Sequence, residues 1–378
     1  MKNKVKVLAL TTAVLASSAH AEITFNGFAN IVAGQTTSKN DSLYGYTNDI
    51  DFKQDSLFAL QASSDLGEGL SVTAQIISRG SDDWDPKFEW AYLTYQPNDN
   101  LRILAGRQRV PFYMYSDFLD VSYAYPWIRP PQGVYSLITD TFDGLGGIYN
   151  WQTGELDHTI HAIYGRTQDT QDLLGDSVDL DFKGMTGIAY TFNRDWLTLR
   201  AGYFQADLNM PIASIELLGN GWKAAGFTDI GDNVLVEEDR ASFIEVGFQV
   251  DYDNFLVIGE YTKLDIKDTM FPEEDSYYVM GGYRYNEFLF HLTYGKDDDS
   301  LDNFVSHVPT GVDPGLDVLI GGTSGFIASQ QADSKYYTAG MRWNFHDSAS
   351  FKFEFTDYTD SQFGNDASLI RTAIVTVF

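Results

Sequence analysis

Arg107, Arg109, Asp117, Asp120 and Arg129 lie within or beside one irregular stretch, residues 110–140, that separates two segments of alternating polarity. Carboxylates and guanidiniums on such a stretch break no bonds by themselves. Facing one another across a wet passage, they sort solutes by charge and dipole. Four further ionisable residues, Arg200, Glu245, Glu260 and Arg371, occupy the polar face of alternating segments elsewhere in the chain. Each of these has a second reading as a solvated wall residue. Bond-making chemistry has less support: there is no G-x-S-x-G turn and no H-E-x-x-H helix. His158, His161 and His291 sit in alternating segments and read as ordinary polar wall positions. Cysteine is absent, which removes disulfides and thiolate metal sites. No enzymatic activity, metal ligand or cofactor is expected.

The same stretch is crowded with rings: Phe112, Tyr113, Tyr115, Phe118, Tyr123, Tyr125, Trp127 and Tyr135. They either form a sliding surface for sugars or aromatic acids, or pack the segment against a wall. Pro126, Pro130 and Pro131 favour packing, since they stiffen a loop. A long structureless insertion is unusual in a compact soluble domain. Inside a wide barrel it has a use, because it narrows the bore.

The elements that must carry these residues are strands. Residues 1–21 read as a signal peptide, with Lys2, Lys4 and Lys6 before the apolar run 7–16 and Ala19-His20-Ala21 as the cleavage pattern. The mature chain, 22–378, is then one exported domain. Losing the three lysines takes the net charge from −28 to −31, which argues against nucleic acid as a partner. After residue 21 no apolar run approaches the ~20 residues that a membrane helix needs. Aromatics make up 15% of the chain, and sixteen segments alternate with period two, from 22–34 to 368–378. Short turns alternate with longer connections, the longest being 110–140, 208–239 and 297–334. A soluble β-sandwich predicts neither that alternation nor aromatics at strand ends. The expected fold is all-β, a transmembrane antiparallel barrel of about sixteen strands.

Alternation also assigns faces. Phe351, Phe353 and Phe355 look at lipid while Lys352 and Glu354 look inward. Ile244, Val246, Phe248 and Val250 face out, putting Glu245 inside, and Ile370 to Phe378 by twos face out, putting Arg371 inside. Arg107 and Arg200 are expected on inward positions, opposite Glu245 and Glu260. Trp90, Tyr92, Trp196, Tyr252, Tyr283, Tyr285 and Trp343 are expected in interfacial girdles. The acidic runs Glu273-Glu274-Asp275 and Asp297-Asp298-Asp299 are expected in outer loops, as solvated charge or as sites for divalent cations bridging lipopolysaccharide.

With Gly106-Arg107-Gln108 ending the fifth strand, a long loop after it and Phe378 at the end, the chain resembles the sixteen-stranded general porins of Gram-negative outer membranes. The resemblance implies a homotrimer, a loop after strand five folded into the pore, and a terminal phenylalanine read by the barrel-assembly machinery. It makes Asp117 and Asp120 the loop acids and Arg107 the wall arginine. Two departures are visible. Asn26, Asn30 and Leu145 stand where the family places further arginines, and the loop is unusually aromatic. The function expected is a water-filled channel for small hydrophilic solutes and ions. A substrate-selective channel for sugars, small acids or peptides is the alternative within transport. A surface adhesin or phage receptor using 208–239 and 297–334 is the alternative outside it.

Overall fold

A computed structural model describes residues 22–362 and 364–378, so the expected signal peptide, 1–21, lies outside the described residues. Sixteen strands close into one antiparallel barrel among the described residues. They are β1 (Ile23–Thr36), β2 (Leu57–Gly67), β3 (Leu70–Arg79), β4 (Pro86–Asn98), β5 (Leu101–Arg109), β6 (Thr141–Thr153), β7 (Leu156–Leu173) and β8 (Asp176–Arg194). The second half comprises β9 (Leu197–Asn209), β10 (Glu237–Tyr252), β11 (Phe255–Ile266), β12 (Glu273–Tyr285), β13 (Phe288–Ser300), β14 (Asp333–His346), β15 (Ala349–Asp360) and β16 (Ala367–Val377). β1 pairs with β16 from Phe28↔Val377 to Thr36↔Leu369, and Gly27 and Phe378 exchange backbone hydrogen bonds of 2.7 and 2.9 Å below that register. No strand edge is left open, as a lipid setting requires.

Faces follow the pleat. Val246 is 52% exposed while its neighbour Glu245 is fully buried, and Phe353 and Phe355 are exposed while Lys352 and Glu354 are not. The inner face is not empty, because the segment between β5 and β6 crosses to it. The long connection between β9 and β10 carries helices α1 (Ala213–Ala224) and α2 (Thr228–Val234), and that between β13 and β14 carries α3 (Pro314–Gln330). α1 and α3 share an apolar cluster that includes Trp222, whose Nε1 donates to Thr323 Oγ1 at 2.8 Å, and Ile327.

Four expectations change in the structure. β7 and β8 do not stop near Arg166 and Phe182. They pair on to Leu173↔Asp176 around Leu174-Gly175, both at positive φ (54° and 87°), which is the twist a two-residue hairpin turn needs. The acidic runs are not loops. Glu274 pairs with Asp299 and Asp275 with Asp298 at the ends of β12 and β13.

Trp90 and Tyr92 leave the girdle for the interior. Gln75 pairs with Trp90 but Ile76 with Phe88, so Glu89 is an extra residue. Such a bulge flips every side chain beyond it. Phe88 is therefore outward, as are Leu93 and Tyr95 on the far side of the bulge.

Arg107 is the fourth correction. Its backbone stands opposite Ala91 and Asp143, two residues from Ala105 on the outward register, while its side chain lines a cavity above the loop together with Arg79 and Asp120. It reaches Asp143 at 3.9 Å and donates to Thr141 Oγ1 at 3.1 Å, and meets neither loop acid.

The assignment of faces has a direct test. Val246→Arg, outward at the middle of β10, is expected to cost about 2–4 kcal/mol of folding stability in vesicles, as for a cation near the bilayer midplane. Urea titration in lipid reads this, and a loss below about 1 kcal/mol would reject a lipid-facing Val246.

Candidate functional site

The ladder between β4 and β5 runs no nearer the loop than Ala91↔Arg107, whereas β5 continues with β6 to Arg109↔Thr141. Where β4 and β5 part, side chains take over. Arg109, 5% exposed, pairs with Glu89, with Asp120 at 2.6 Å and with Asp140 at 3.4 Å, and donates to the Ser116 carbonyl at 3.3 Å. Arg79, at the inward end of β3, joins at 2.8 Å from Asp120 and 3.1 Å from Glu89. Two wall arginines thus hold one loop carboxylate, with Glu89 completing the ring. Burial alone would raise the Asp120 pKa, but Arg79 and Arg109 hold it well below the usual carboxylate range.

A second cluster holds the other end of the loop. Arg371 on β16 bridges Asp55 at 3.0 Å and Glu354 at 2.8 Å. Glu354 also accepts from the Ile128 backbone N–H at 2.7 Å, so the wall pair is tied to the loop. Arg129 reaches Asp55 at 3.4 Å and Tyr46 donates to it at 3.0 Å. Asp55 is buried, which opposes its ionisation, yet Arg371 and Arg129 bring its pKa below the ordinary value. Lys352, fully buried, donates to the carbonyls of Ser122, Tyr125 (2.8 Å) and Trp127.

The far side is anchored by acids. Glu260 accepts from the Met114 N–H at 2.9 Å and from the hydroxyls of Tyr278 and Tyr135. Arg200 pairs with Glu245 at 3.2 Å and donates to the Pro111 carbonyl. The loop therefore touches inward side chains on β3, β9, β11, β15 and β16, which is to say it spans the lumen. Its rings are mostly packing. Phe112 meets Phe204 and Phe243 at 5.0 Å each, Trp127 meets Tyr278 at 5.4 Å, and the Trp127 Nε1 donates to Thr293 at 2.8 Å.

Of the residues singled out in the sequence, Arg109 and Asp120 meet in one cluster, Arg129 and Arg371 in another, and Arg200, Glu245 and Glu260 lie under the loop's aromatic side. Asp117 is apart: it is exposed and has no ion-pair or hydrogen-bond partner among the described residues. It overhangs two cavities at the short-turn end of the barrel, one of about 290 Å³ with Arg102, His161 and Arg200 and one of about 430 Å³ with Gln61, Gln75 and Trp90. Above the loop, a cavity of about 330 Å³ is lined by residues that include Asn30, Asp55, Arg79, Arg107, Asp120 and Arg129. Sequence reasoning missed Arg79, Glu89 and Asp55. Arg79 shares the inward face with Ile77, a signal present in the alternation. The bulge at Glu89 and the placement of Asp55 had none.

A closed barrel of sixteen strands, lipid-facing outside and crossed inside by a charged loop, is an outer-membrane diffusion channel in architecture. The model of the Gram-negative porin family matches residues 7–362, and the chain belongs to that family. Among solved structures it is similar to the outer-membrane channel DcaP of Acinetobacter baumannii, at 13% identity and a TM-score of 0.61 over 96% of this chain and 99% of that one. It is also similar to Salmonella typhi OmpF, in a complex with daunomycin, at 13% identity and 0.59 over 95% and 98%. A third is OmpT of Vibrio cholerae in a trimer form, at 13% identity and 0.54 over 95% and 99%. No curated protein matches the chain. The protein is an outer-membrane porin through which small solutes pass by passive diffusion.

The clasp at Asp120 predicts a pH dependence. A carboxylate whose folded pKa is depressed contributes stability above its unfolded value, about 3.9, and loses that contribution only as pH falls through the lower folded value. Loop 110–140 is therefore expected to resist protease at about pH 4 much as at neutral pH. Asp120→Ala, by leaving Arg79 and Arg109 to share Glu89, is expected to expose it at neutral pH through a local loss of about 3–5 kcal/mol. Equal cleavage of variant and wild type would overturn the clasp.

Proposed function

We propose that the channel favours cations and that the loop, not an arginine row, sets that preference. The carrying observation is compensation. Arg79 and Arg109 face Glu89, Asp120 and Asp140; Arg129 and Arg371 face Asp55 and Glu354; Arg200 faces Glu245. The guanidiniums paired at the loop leave little positive field, while beneath it the Asp117 carboxylate, without an ion-pair partner among the described residues, shares a cavity with Arg102. A chain with net charge −28 adds an attraction for counter-ions at its mouths, screened beyond ~8 Å at physiological salt. On this reading Arg109, Asp120, Arg129, Arg200, Glu245, Glu260 and Arg371 position the constriction, Asp117 gives it its sign, and no catalysis is involved.

The reading extends to assembly. Ala62, Ala74 and Ala91 are paired side by side on the outward face, and Arg107 follows Ala91 in the same row with Asp143 beyond it. A flat row of methyl groups ending on a charged pair is poorly suited to lipid and well suited to a second copy of the chain. The homotrimer would form through β2–β5, with lipid and lipopolysaccharide against the aromatic remainder. Export by cleavage after Ala21 and recognition of Phe378 by the assembly machinery complete the proposal.

Reversal potential in a planar bilayer under a salt gradient tests the selectivity. The wild type is expected to prefer cations, Asp117→Asn to lose much of that preference, and Arg107→Ala to leave it unchanged. An anion-selective wild type would sink the proposal. For assembly, Ala74→Trp is expected to shift the native particle from trimer to monomer in detergent with the barrel's heat-modifiable mobility retained. A trimer that tolerates the indole would exclude this face.

A further inference from the structure

Beneath the loop, the wall of β1–β4 carries two rows without a charge. Asn26 pairs with Gln61, Gln61 with Gln75 and Gln75 with Trp90, so that one row across four strands is three amides ending on an indole. In the next row toward the short turns, Thr24, Ser63, Thr73 and Tyr92 are paired in the same way, three hydroxyls ending on a phenol. The upper row is linked by side chains as well. The Trp90 Nε1 and the Gln75 Nε2 both donate to the Gln61 Oε1, at 3.2 and 3.3 Å. That leaves the Gln61 amide nitrogen and the exposed Asn26 with no side-chain hydrogen-bond partner among the described residues. Above Trp90 lies the Arg109 guanidinium, 5.5 Å from the ring centroid, so the ring is fixed in place by the clasp that holds the loop.

The cavity over the upper row measures about 430 Å³, and its lining includes Asn26, Gln61, Gln75, Trp90, Val121 and Asp117 but no lysine or arginine. That volume is in the range of small-molecule sites. Adjacent strands are ~4.8 Å apart, so four positions in register span ~14 Å, the reach of a short oligosaccharide rather than of an ion. The neighbouring cavity, by contrast, presents Arg102, Arg200 and His161.

Resting on the channel reading above, we propose that the inner wall of β1–β4 is a binding track for uncharged polyhydroxylated solutes, sugars of one to three rings. Amides and hydroxyls both donate and accept, which matches a hydroxyl that must do both. The indole and the phenol offer apolar plates to the C–H face of a pyranose. Asp117, overhanging from the loop, accepts from a sugar hydroxyl at the upper end of the track. A carboxylate-bearing solute meets no cation in this cavity, and a simple cation gains only Asp117. The bulge at Glu89 is what makes the track, because without it Trp90 and Tyr92 would face lipid.

Single-channel recording of the full-length protein tests the proposal, with maltose or maltotriose added on the short-turn side. The expected result is a concentration-dependent interruption of the ion current. Trp90→Ala should raise the half-blocking concentration about tenfold, a change of about 1.4 kcal/mol, with Trp90→Phe recovering part of it. Asn26→Ala, at an exposed position that holds nothing else in place, should raise it severalfold; it serves as the variant that spares the fold. A wild type that conducts without being blocked by either sugar would overturn the track and leave the channel standing. A wild type without ion current would overturn the channel reading first. Equal block in the wild type, Trp90→Ala and Asn26→Ala would place sugar binding elsewhere, and equal block by gluconate would remove the preference for uncharged solutes.

Discussion

Backbone hydrogen bonding without water governs this molecule. In the hydrocarbon layer an unpaired N–H or C=O costs several kcal/mol, so strands cross a membrane only when the last pairs with the first. The β1–β16 ladder, extended by the exchange between Gly27 and Phe378, meets that requirement. Closure fixes a wall whose outward side chains must be apolar and whose inward ones need not be. It also creates a lumen that, left open at sixteen strands, would pass solutes with little discrimination. The loop between β5 and β6 is the answer to that second consequence.

Holding a loop across a wet bore is an electrostatic problem as much as a packing one. The wall supplies cations and anions, and the loop supplies backbone carbonyls, N–H groups and Asp120 to meet them. Lys352 gathers three carbonyls, Glu260 and Glu354 take N–H groups, and Arg79 and Arg109 share one carboxylate. Truncating either partner of such a buried pair leaves a charge unmet, so single changes there are costly. The aromatic side of the loop is seated on Phe204, Phe243 and Tyr278. What stays uncommitted is small: Asp117, the polar wall of β1–β4, and the arginine-bearing cavity beside it. In the proposed reading, these uncommitted groups are where solutes meet the protein.

Much of this was legible in the sequence, because alternation with period two is a local property. It placed Glu245, Lys352, Glu354 and Arg371 inside and Val246, Phe353 and Phe355 outside, as the structure has them. It failed where one residue changes the count. Glu89 is extra relative to β3, so Trp90 and Tyr92 moved from the expected girdle to the lumen. Gly106, at φ +131°, brings its backbone against Ala91 and Tyr92, and the Arg107 beside it binds Thr141 and Asp143 rather than a loop acid.

By itself, then, the sequence determined the class of fold, the number of strands, the long loop and most of the facing of charges, since each depends on residue type and parity along a strand. The tertiary structure alone decided which charges meet. Asp120 finds Arg79 and Arg109, Asp55 finds Arg371, and Asp117 finds none among the described residues. Those outcomes depend on where a loop crosses a closed ring and on which strand carries a bulge. Neither is written in any one segment, because both arise from register between segments that the chain brings together only on closure.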